Sequence, residues 1–236
     1  MRPVNYLKTL PSFYVSSMKQ TLATIERRIP FEPAPPRPTV LVPGAFCTGS
    51  VMNRLGRELN RRGMSVCVPP TFPYYLSALA NICRLQRSAE ALAKWLGDLA
   101  AARGIEEVNV VGHSNGALIA LLAAGRLKRV RIRRVVTMAA PFGGFPAARP
   151  LGLLIPCCRD IAAGSDVLQK VAGAESLVVL CLVADRDSLL PPVVQFLSGS
   201  ERKVMEGFQH MDFIVGRPEQ IEKTAEHIVR CLKNEN

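Results

Sequence analysis

The feature that most constrains the fold is a Gly-x-Ser-x-Gly motif at residues 112–116, which stands between an apolar run and a helical pattern. The β-branched run at 108–111 predicts a buried strand, and the pattern at 118–127 predicts a helix. A sharp strand-to-helix turn of this kind lifts a serine hydroxyl above a sheet. Glycine is needed at both ends of the motif, because a Cβ there would collide with neighbouring backbone. Ser114 is therefore the candidate nucleophile.

Strand-like and helical segments alternate through most of the chain. Strands are predicted at 39–42, 65–68, 107–111, 134–138, 177–183 and 202–205. Helices are predicted at about 50–62, 76–103, up to 127, and 218–232. This alternation predicts an α/β fold with a mostly parallel, doubly wound sheet of about six strands and helices on both faces. Residues 141–176 form the one long interruption and are predicted to be a short cap, whose run at 151–155 is a candidate small lid.

The N-terminal region is predicted to be separate from this fold. We place the α/β domain at residues 39–236 and a segment with an amphipathic helix and a Pro-rich linker at residues 1–38. Two interpretations of the helix stay open: packing against the domain, or binding to a membrane surface or a partner. We expect neither a secretory signal nor a membrane span, since polar residues and Pro11 interrupt the apolar pattern and no run approaches 18 apolar residues.

The net charge of the chain indicates which kinds of surface it would bind. The formal net charge is +11, which favours anionic surfaces such as a membrane. Six of the nine residues from 126 to 134 are cationic, and we expect them at the sheet edge opposite the carboxyl ends of the strands, remote from substrate. A solvated helix end and a membrane or protein contact are the two interpretations of this cluster. No nucleic acid partner is expected, because zinc-finger spacings and RNP motifs are absent from the sequence.

The cysteine pattern indicates a reducing compartment. There are seven cysteines and none of them forms a C-x-x-C motif. We expect mostly buried free thiols, with Cys157 and Cys158 as the one pair of interest. This pattern favours a cytoplasmic location, with peripheral membrane association as the alternative.

A serine hydroxyl needs a base to take its proton, and the chain has only three histidines. His113 lies beside the serine, where the turn is expected to direct its side chain away from the hydroxyl. His227 is predicted to lie on the surface of the last helix. His210 follows the sixth strand and is therefore expected at the same sheet edge as Ser114, so it is the candidate base.

The imidazole in turn needs a carboxylate that fixes its tautomer and stabilises its protonated form. Three residues separate Asp187 from the predicted fifth strand, and Asp187 lies on a loop at the same edge. Asp185 is the close alternative, and Asp212 is a weaker one.

Attack on an ester carbonyl creates an oxyanion, which needs preorganised N–H donors. The backbone amide of Asn115, next to the nucleophile, supplies one. The turn after the first strand should supply the other, with Ala45 as the first choice and Phe46 as the alternative. Phe46, Phe142 and Leu151 are candidate residues of an acyl site, although ordinary packing explains them equally well. No metal site is predicted.

Together these residues resemble the α/β-hydrolase superfamily, and within it the bacterial lipase and esterase (triacylglycerol lipase-like) families. The resemblance covers about residues 39–232 and rests on the 112–116 motif, on Asp187 ahead of Leu190-Pro191, and on the loop ending at His210. The segments 141–144 and 160–168 are also similar to stretches of those lipases. The resemblance implies hydrolysis of acyl or lipid esters through an acyl-enzyme, without a metal or an organic cofactor.

The chain departs from that family pattern in three places. Pro43 stands where the lipases usually have histidine in the oxyanion turn, and Ala184 stands where glycine is common. The lid region is also short, which favours an esterase or a simple lipase with an open site. Our main prediction is a serine carboxylic ester hydrolase. The alternatives are an acyltransferase that uses the same triad and a non-catalytic binding protein that keeps the fold.

Overall fold

A computed structural model describes residues 37–69, 82–145 and 147–233. The predicted N-terminal helix and nearly all of the Pro-rich linker lie outside the described residues, as does the predicted start of the second helix at residue 76.

Six strands of the described chain form one parallel sheet in the order β2-β1-β3-β4-β5-β6. They are β1 Thr39–Val42, β2 Val66–Cys67, β3 Glu107–His113, β4 Arg131–Met138, β5 Val178–Ala184 and β6 Glu201–Met205. The chain moves outward from β1 to β2 and then continues on the other side of β1 with β3. The gap between β1 and β3 is thus a topological switch point, where ligands bind at the carboxyl ends of the strands. The predicted parallel α/β sheet is confirmed.

The α-helices of the described chain cover both faces of this sheet. They are α1 Asn53–Arg61, α2 Leu85–Arg103, α3 Asn115–Ala124, α4 Ala148–Leu151, α5 Pro156–Asp160, α6 Asp166–Ala172, α7 Asp212–Val215 and α8 Pro218–Lys233. A 3₁₀ turn, Gly49–Met52, leads into α1. Helices α4, α5 and α6 occupy the long interruption between β4 and β5.

The alternation of side chains along the strands divides the core in two. Val40 and Val42 of β1 belong to a buried cluster that includes Leu92 of α2 and residues of α3. Leu41, between them, belongs to a second cluster with residues of α1 and α8 such as Ile228. Because successive side chains of a strand point to opposite faces, this alternation places apolar layers on both sides of the sheet.

The predicted helix over 76–103 is wrong at residues 82–84. Residues 82–84 are described and are not helical, and α2 begins at Leu85. The Leu85 N–H donates to Asp160 Oδ2 at 2.6 Å, and the Arg84 guanidinium contacts Oδ1 of the same carboxylate at 2.7 Å. A carboxylate from α5 therefore caps α2, and the helix starts where that cap lies.

Two further predictions about the end of α3 and the start of β4 need correction. Helix α3 ends at Ala124 and not at residue 127, and β4 begins at Arg131 and not at residue 134. Arg131 pairs in register with Glu107 of β3 and also forms an ion pair with it, which extends the strand. The cationic run from 126 to 134 consequently spans a turn and the first half of β4.

The prediction that His227 lies on the surface is also wrong. His227 is buried in α8, beside the buried residues Thr224 and Ile228. The core-facing stripe of this helix is wide enough to include it. None of the helices within residues 37–69, 82–145 and 147–233 is long and apolar enough to cross a membrane.

Candidate active site

The site is built on the turn that joins β3 to α3. Ser114 occupies this turn with φ 53° and ψ −127°, a left-handed conformation that is rare for residues with a side chain. Its N–H donates to the Met138 carbonyl of β4 at 2.8 Å, which anchors the turn to the sheet. Asn115 begins α3, so its N–H lies in the first turn and has no acceptor within the helix.

Three glycines allow the elements around Ser114 to approach each other. A Cβ on Gly112 would lie 2.4 Å from Ala117 Cα, and one on Gly116 would lie 2.2 Å from the Val42 carbonyl oxygen. The steric reason predicted for both glycines is thus confirmed. Gly44 has a similar role, because a Cβ there would lie 2.8 Å from Ser114 Cβ. The turn after β1 therefore packs directly against the nucleophile.

His210 and Asp187 meet at the same edge of the sheet. His210 Nδ1 lies 2.7 Å from Asp187 Oδ2, and both side chains are almost fully buried. Asp187 Oδ1 accepts hydrogen bonds from the N–H groups of Leu189 and Leu190 at 2.8 and 2.9 Å. An ionised carboxylate only accepts hydrogen bonds, so Nδ1 carries the proton and Nε2 is left as the basic nitrogen.

The surroundings of Asp187 keep its carboxylate ionised. Burial alone would raise the pKa of Asp187, but the charge and hydrogen bond of His210 and the two backbone N–H donors outweigh burial and hold the pKa below its ordinary value. The ionised carboxylate of Asp187 therefore places a negative charge against the His210 ring.

Asp185 and Asp212, the two alternatives to Asp187, contact backbone N–H groups and not the His210 ring. Asp185 Oδ1 accepts from the Phe208 N–H at 3.1 Å. Asp212 Oδ2 accepts from the Gln209 N–H at 2.8 Å. Both carboxylates therefore brace the loop that carries His210, while Asp187 is the one that contacts its ring.

Sequence reasoning did not identify Gln195, which holds the Asp187 loop in place. Its buried side chain binds both backbone groups of Ala184, donates to the Leu190 carbonyl at 2.7 Å and contacts Asp187 Oδ2 at 3.2 Å. Nothing in the sequence around residue 195 signals this role.

Sequence reasoning also assigned no role in the site to His113. Its ring lies edge-on to the His210 ring with centroids 4.9 Å apart, and its Nε2–H donates to the His210 backbone carbonyl at 2.9 Å. Burial, together with the charge of His210, lowers the pKa of His113 to about 3. His113 is therefore a neutral side chain that ties the nucleophile turn to the loop of the base.

The lowered pKa of His113 makes stability depend on pH. Between pH 6.5 and about 3 the unfolded chain binds a proton that the folded chain does not. The free energy of unfolding should therefore fall on acidification, by up to about 1.4 kcal/mol per pH unit. His113→Gln keeps a donor for the His210 carbonyl but removes this titration. Urea unfolding of both proteins from pH 7 to pH 4 should give a shallower pH dependence for the variant, and identical slopes would contradict the account.

One cavity of about 70 Å³ brings most of the predicted site residues together. Ser114 and His210 line it, and so do four of the predicted binding residues: Ala45, Phe46, Asn115 and Leu151. Phe142 instead packs into the core, and Phe145 lines the cavity. The other lining residues are Pro141, Ile155, Cys157, Cys158, Ile161, Leu189 and Leu190. The walls around the hydroxyl and the imidazole are therefore apolar.

We searched the described residues for side chains that could bind a metal ion. Among these residues, no group of three or more His, Cys, Asp or Glu side chains is arranged to hold one.

Comparison with solved structures gives lipases and esterases of the same fold. The mature form of the Bacillus licheniformis lipase BlEst2 is 14% identical over 88% of this chain and 94% of that chain, with a TM-score of 0.65. A lipase-esterase related protein from Clostridium acetobutylicum is 14% identical over 85% of this chain and 96% of that chain, with a TM-score of 0.60. Aspergillus fumigatus lipase B is 15% identical over 85% of this chain and 55% of that chain, with a TM-score of 0.62.

Sequence comparison agrees with the architecture. No curated protein gave a significant match. A family model described as the alpha/beta hydrolase fold matches residues 38–156, about half of the chain, and this region contains β1 to β4 and the nucleophile turn. The chain belongs to the alpha/beta hydrolase fold family.

Proposed function

We propose that the protein is a serine carboxylic ester hydrolase that acts through an acyl-enzyme. The observation that carries this proposal is the contact of Asp187 with His210, which lines the same cavity as Ser114. A base with its tautomer fixed beside a serine on a strained turn is the arrangement that nucleophilic acyl transfer requires.

In the proposed acylation step, Ser114 Oγ attacks the ester carbonyl while its proton passes to His210 Nε2. Asp187 stabilises the imidazolium that forms. The N–H groups of Asn115 and Ala45 receive the oxyanion, and Phe46 is the alternative second donor. Collapse of the tetrahedral intermediate expels the alcohol, which takes the proton from His210. Water then repeats the sequence on the acyl-enzyme and releases the carboxylic acid.

The walls of the cavity support an acyl substrate. Leu151, Ile155 and Ile161 present hydrocarbon to any group attached to the Ser114 ester, and burial of hydrocarbon provides most of the affinity for an acyl chain. The small volume favours short chains over long ones. The structural neighbours named as lipases or as lipase-esterase related are consistent with this substrate class.

The test is turnover of p-nitrophenyl esters from acetate to palmitate, with analysis of the acyl product. We expect release of p-nitrophenol that is fastest with short acyl chains, and free carboxylic acid as the product even when alcohols or thiols are added. Failure to turn over any ester would contradict the proposal. Exclusive transfer of the acyl group to an added alcohol or thiol would replace it with an acyltransferase.

A further inference from the structure

The cationic run from 126 to 134 lies at the edge of the sheet opposite the candidate active site. It connects α3 to β4, and Arg131 at the start of β4 pairs in register with Glu107 at the start of β3. Ser114 follows the other end of β3. A strand of seven residues is about 20 Å long, so the cationic run is remote from the cavity that contains Ser114.

Five side chains of this run are exposed and form a cationic surface that we call the basic edge. They are Arg126, Lys128, Arg129, Arg131 and Arg133. Arg126 donates to a backbone carbonyl of α3. Within the described part of the chain, Lys128, Arg129 and Arg133 form no ion pair. The basic edge therefore presents cations that are available to a partner.

Carboxylates also lie near the basic edge, at Glu90, Asp98, Glu106 and Glu107. Asp98 contacts Lys94 of its own helix at 2.7 Å. Glu107 contacts Arg37 at 2.9 Å and also forms an ion pair with Arg131. The two carboxylates that remain are outnumbered by the other four cations of the basic edge, so the net charge of this surface is positive.

The N-terminal segment joins the domain at the same edge of the sheet. Arg37 is the first described residue, it contacts Glu107, and β1 begins two residues later at Thr39. The sequence before Arg37 combines lysine and arginine with the apolar face of the predicted amphipathic helix. A basic amphipathic helix lies in the interface of an anionic bilayer, with its apolar face at the acyl chains. A lipid surface is therefore the partner that suits both the basic edge and the segment attached beside it.

Two exposed leucines in the cap offer a competing contact surface. Leu153 and Leu154 are 80% and 84% exposed, and they lie between Leu151 and Ile155 of the cavity wall. Insertion of these leucines into a bilayer would turn the cavity toward the lipid. Contact through the basic edge would turn the cavity away from it. The surplus of cations and the position of the N-terminal segment favour the second orientation.

We propose that the basic edge is a docking surface for an anionic lipid bilayer and that it holds the protein with its cavity facing away from the membrane. Lipid phosphates accept charge-assisted hydrogen bonds from guanidinium and ammonium groups. Each such cation near an anionic bilayer strengthens binding about fivefold. The cavity then stays open to dissolved substrates while the protein is bound. Docking does not depend on the proposed ester hydrolysis.

The test is co-sedimentation of the whole chain with vesicles of phosphatidylglycerol and phosphatidylcholine in equal parts, at low salt. Lys128→Gln, Arg129→Gln and Arg133→Gln are combined in one variant. We expect the affinity of this variant for the vesicles to be about 100-fold lower than that of the unmodified protein. Added salt should weaken binding of the unmodified protein. Urea unfolding checks that the variant is folded.

A matched control removes the same number of charges at the opposite edge of the sheet, through Arg57→Gln, Arg87→Gln and Arg217→Gln. These exposed arginines lie in the first two turns of α1 and α2 and just before α8. We expect the control to keep its affinity within a few-fold.

Four results would overturn the proposal. Equal losses in the two triple variants would show that net charge and not the basic edge decides binding. A loss confined to a variant with Leu153→Ser and Leu154→Ser would assign the contact to the cap. Absence of vesicle binding at low salt would exclude docking to a bilayer. Binding to polyglutamate without binding to vesicles would assign the basic edge to an acidic protein.

Discussion

Substituting asparagine for Asp187 is expected to lower kcat for ester hydrolysis by about 10⁴-fold. The amide would still accept the N–H groups of Leu189 and Leu190 through Oδ1, so the loop should keep its shape. Its NH₂ group would face His210 Nδ1, however, and stabilise the tautomer that carries its proton on Nε2. A base protonated on that nitrogen takes no proton from Ser114.

Asp185→Asn is the matched control for this substitution. Asp185 lies two residues earlier on the same loop, and its contact with the Phe208 N–H needs only an acceptor oxygen, which asparagine retains. We expect kcat of this control within a few-fold of the unmodified protein. Urea unfolding of both variants checks that they are folded. Equal losses of kcat in the two variants, or an effect of Asp187→Asn on KM alone, would contradict the role given to Asp187.

Replacing Ser114 with alanine is expected to lower ester turnover by more than about 10³-fold. The residue keeps its Cβ, and the turn is held by backbone contacts such as that from residue 114 to the Met138 carbonyl, so the cavity should survive. Ser188→Ala is a fitting control, because this exposed serine lies next to Asp187. Turnover should be nearly unchanged in the control. Turnover retained in Ser114→Ala would show that another group carries the reaction.

Local patterns in the sequence predicted the architecture well. Alternating β-branched strands and helices need cover on both faces, and the structure has that cover in its two apolar clusters. The need for glycine at positions 112 and 116 follows from a steric argument that involves only residues close to the nucleophile in sequence. The positions of Asp187 and His210 after neighbouring strands were enough to place them at one edge, since parallel strands end together.

Contacts between residues distant in sequence account for what the sequence did not predict. Helix α2 starts at Leu85 because Asp160, 75 residues later, caps it. His113 ties the turn to a backbone carbonyl 97 residues later. Gln195 binds mainly backbone groups, which leave no trace in side-chain patterns. Phe145 and not Phe142 lines the cavity, and the Phe145 N–H donates to the carbonyl of Ile161, a contact between residues 16 positions apart.

The central claim is that Ser114 becomes acylated, and the most direct measurement is the mass of the protein quenched with acid during turnover of a p-nitrophenyl ester. Peptide analysis then locates the acyl group. The account predicts one acyl group on the peptide that contains Ser114, and none on that peptide in Ser114→Ala. An acyl group found on Cys158 in place of Ser114, or turnover without any acylated protein, would contradict it.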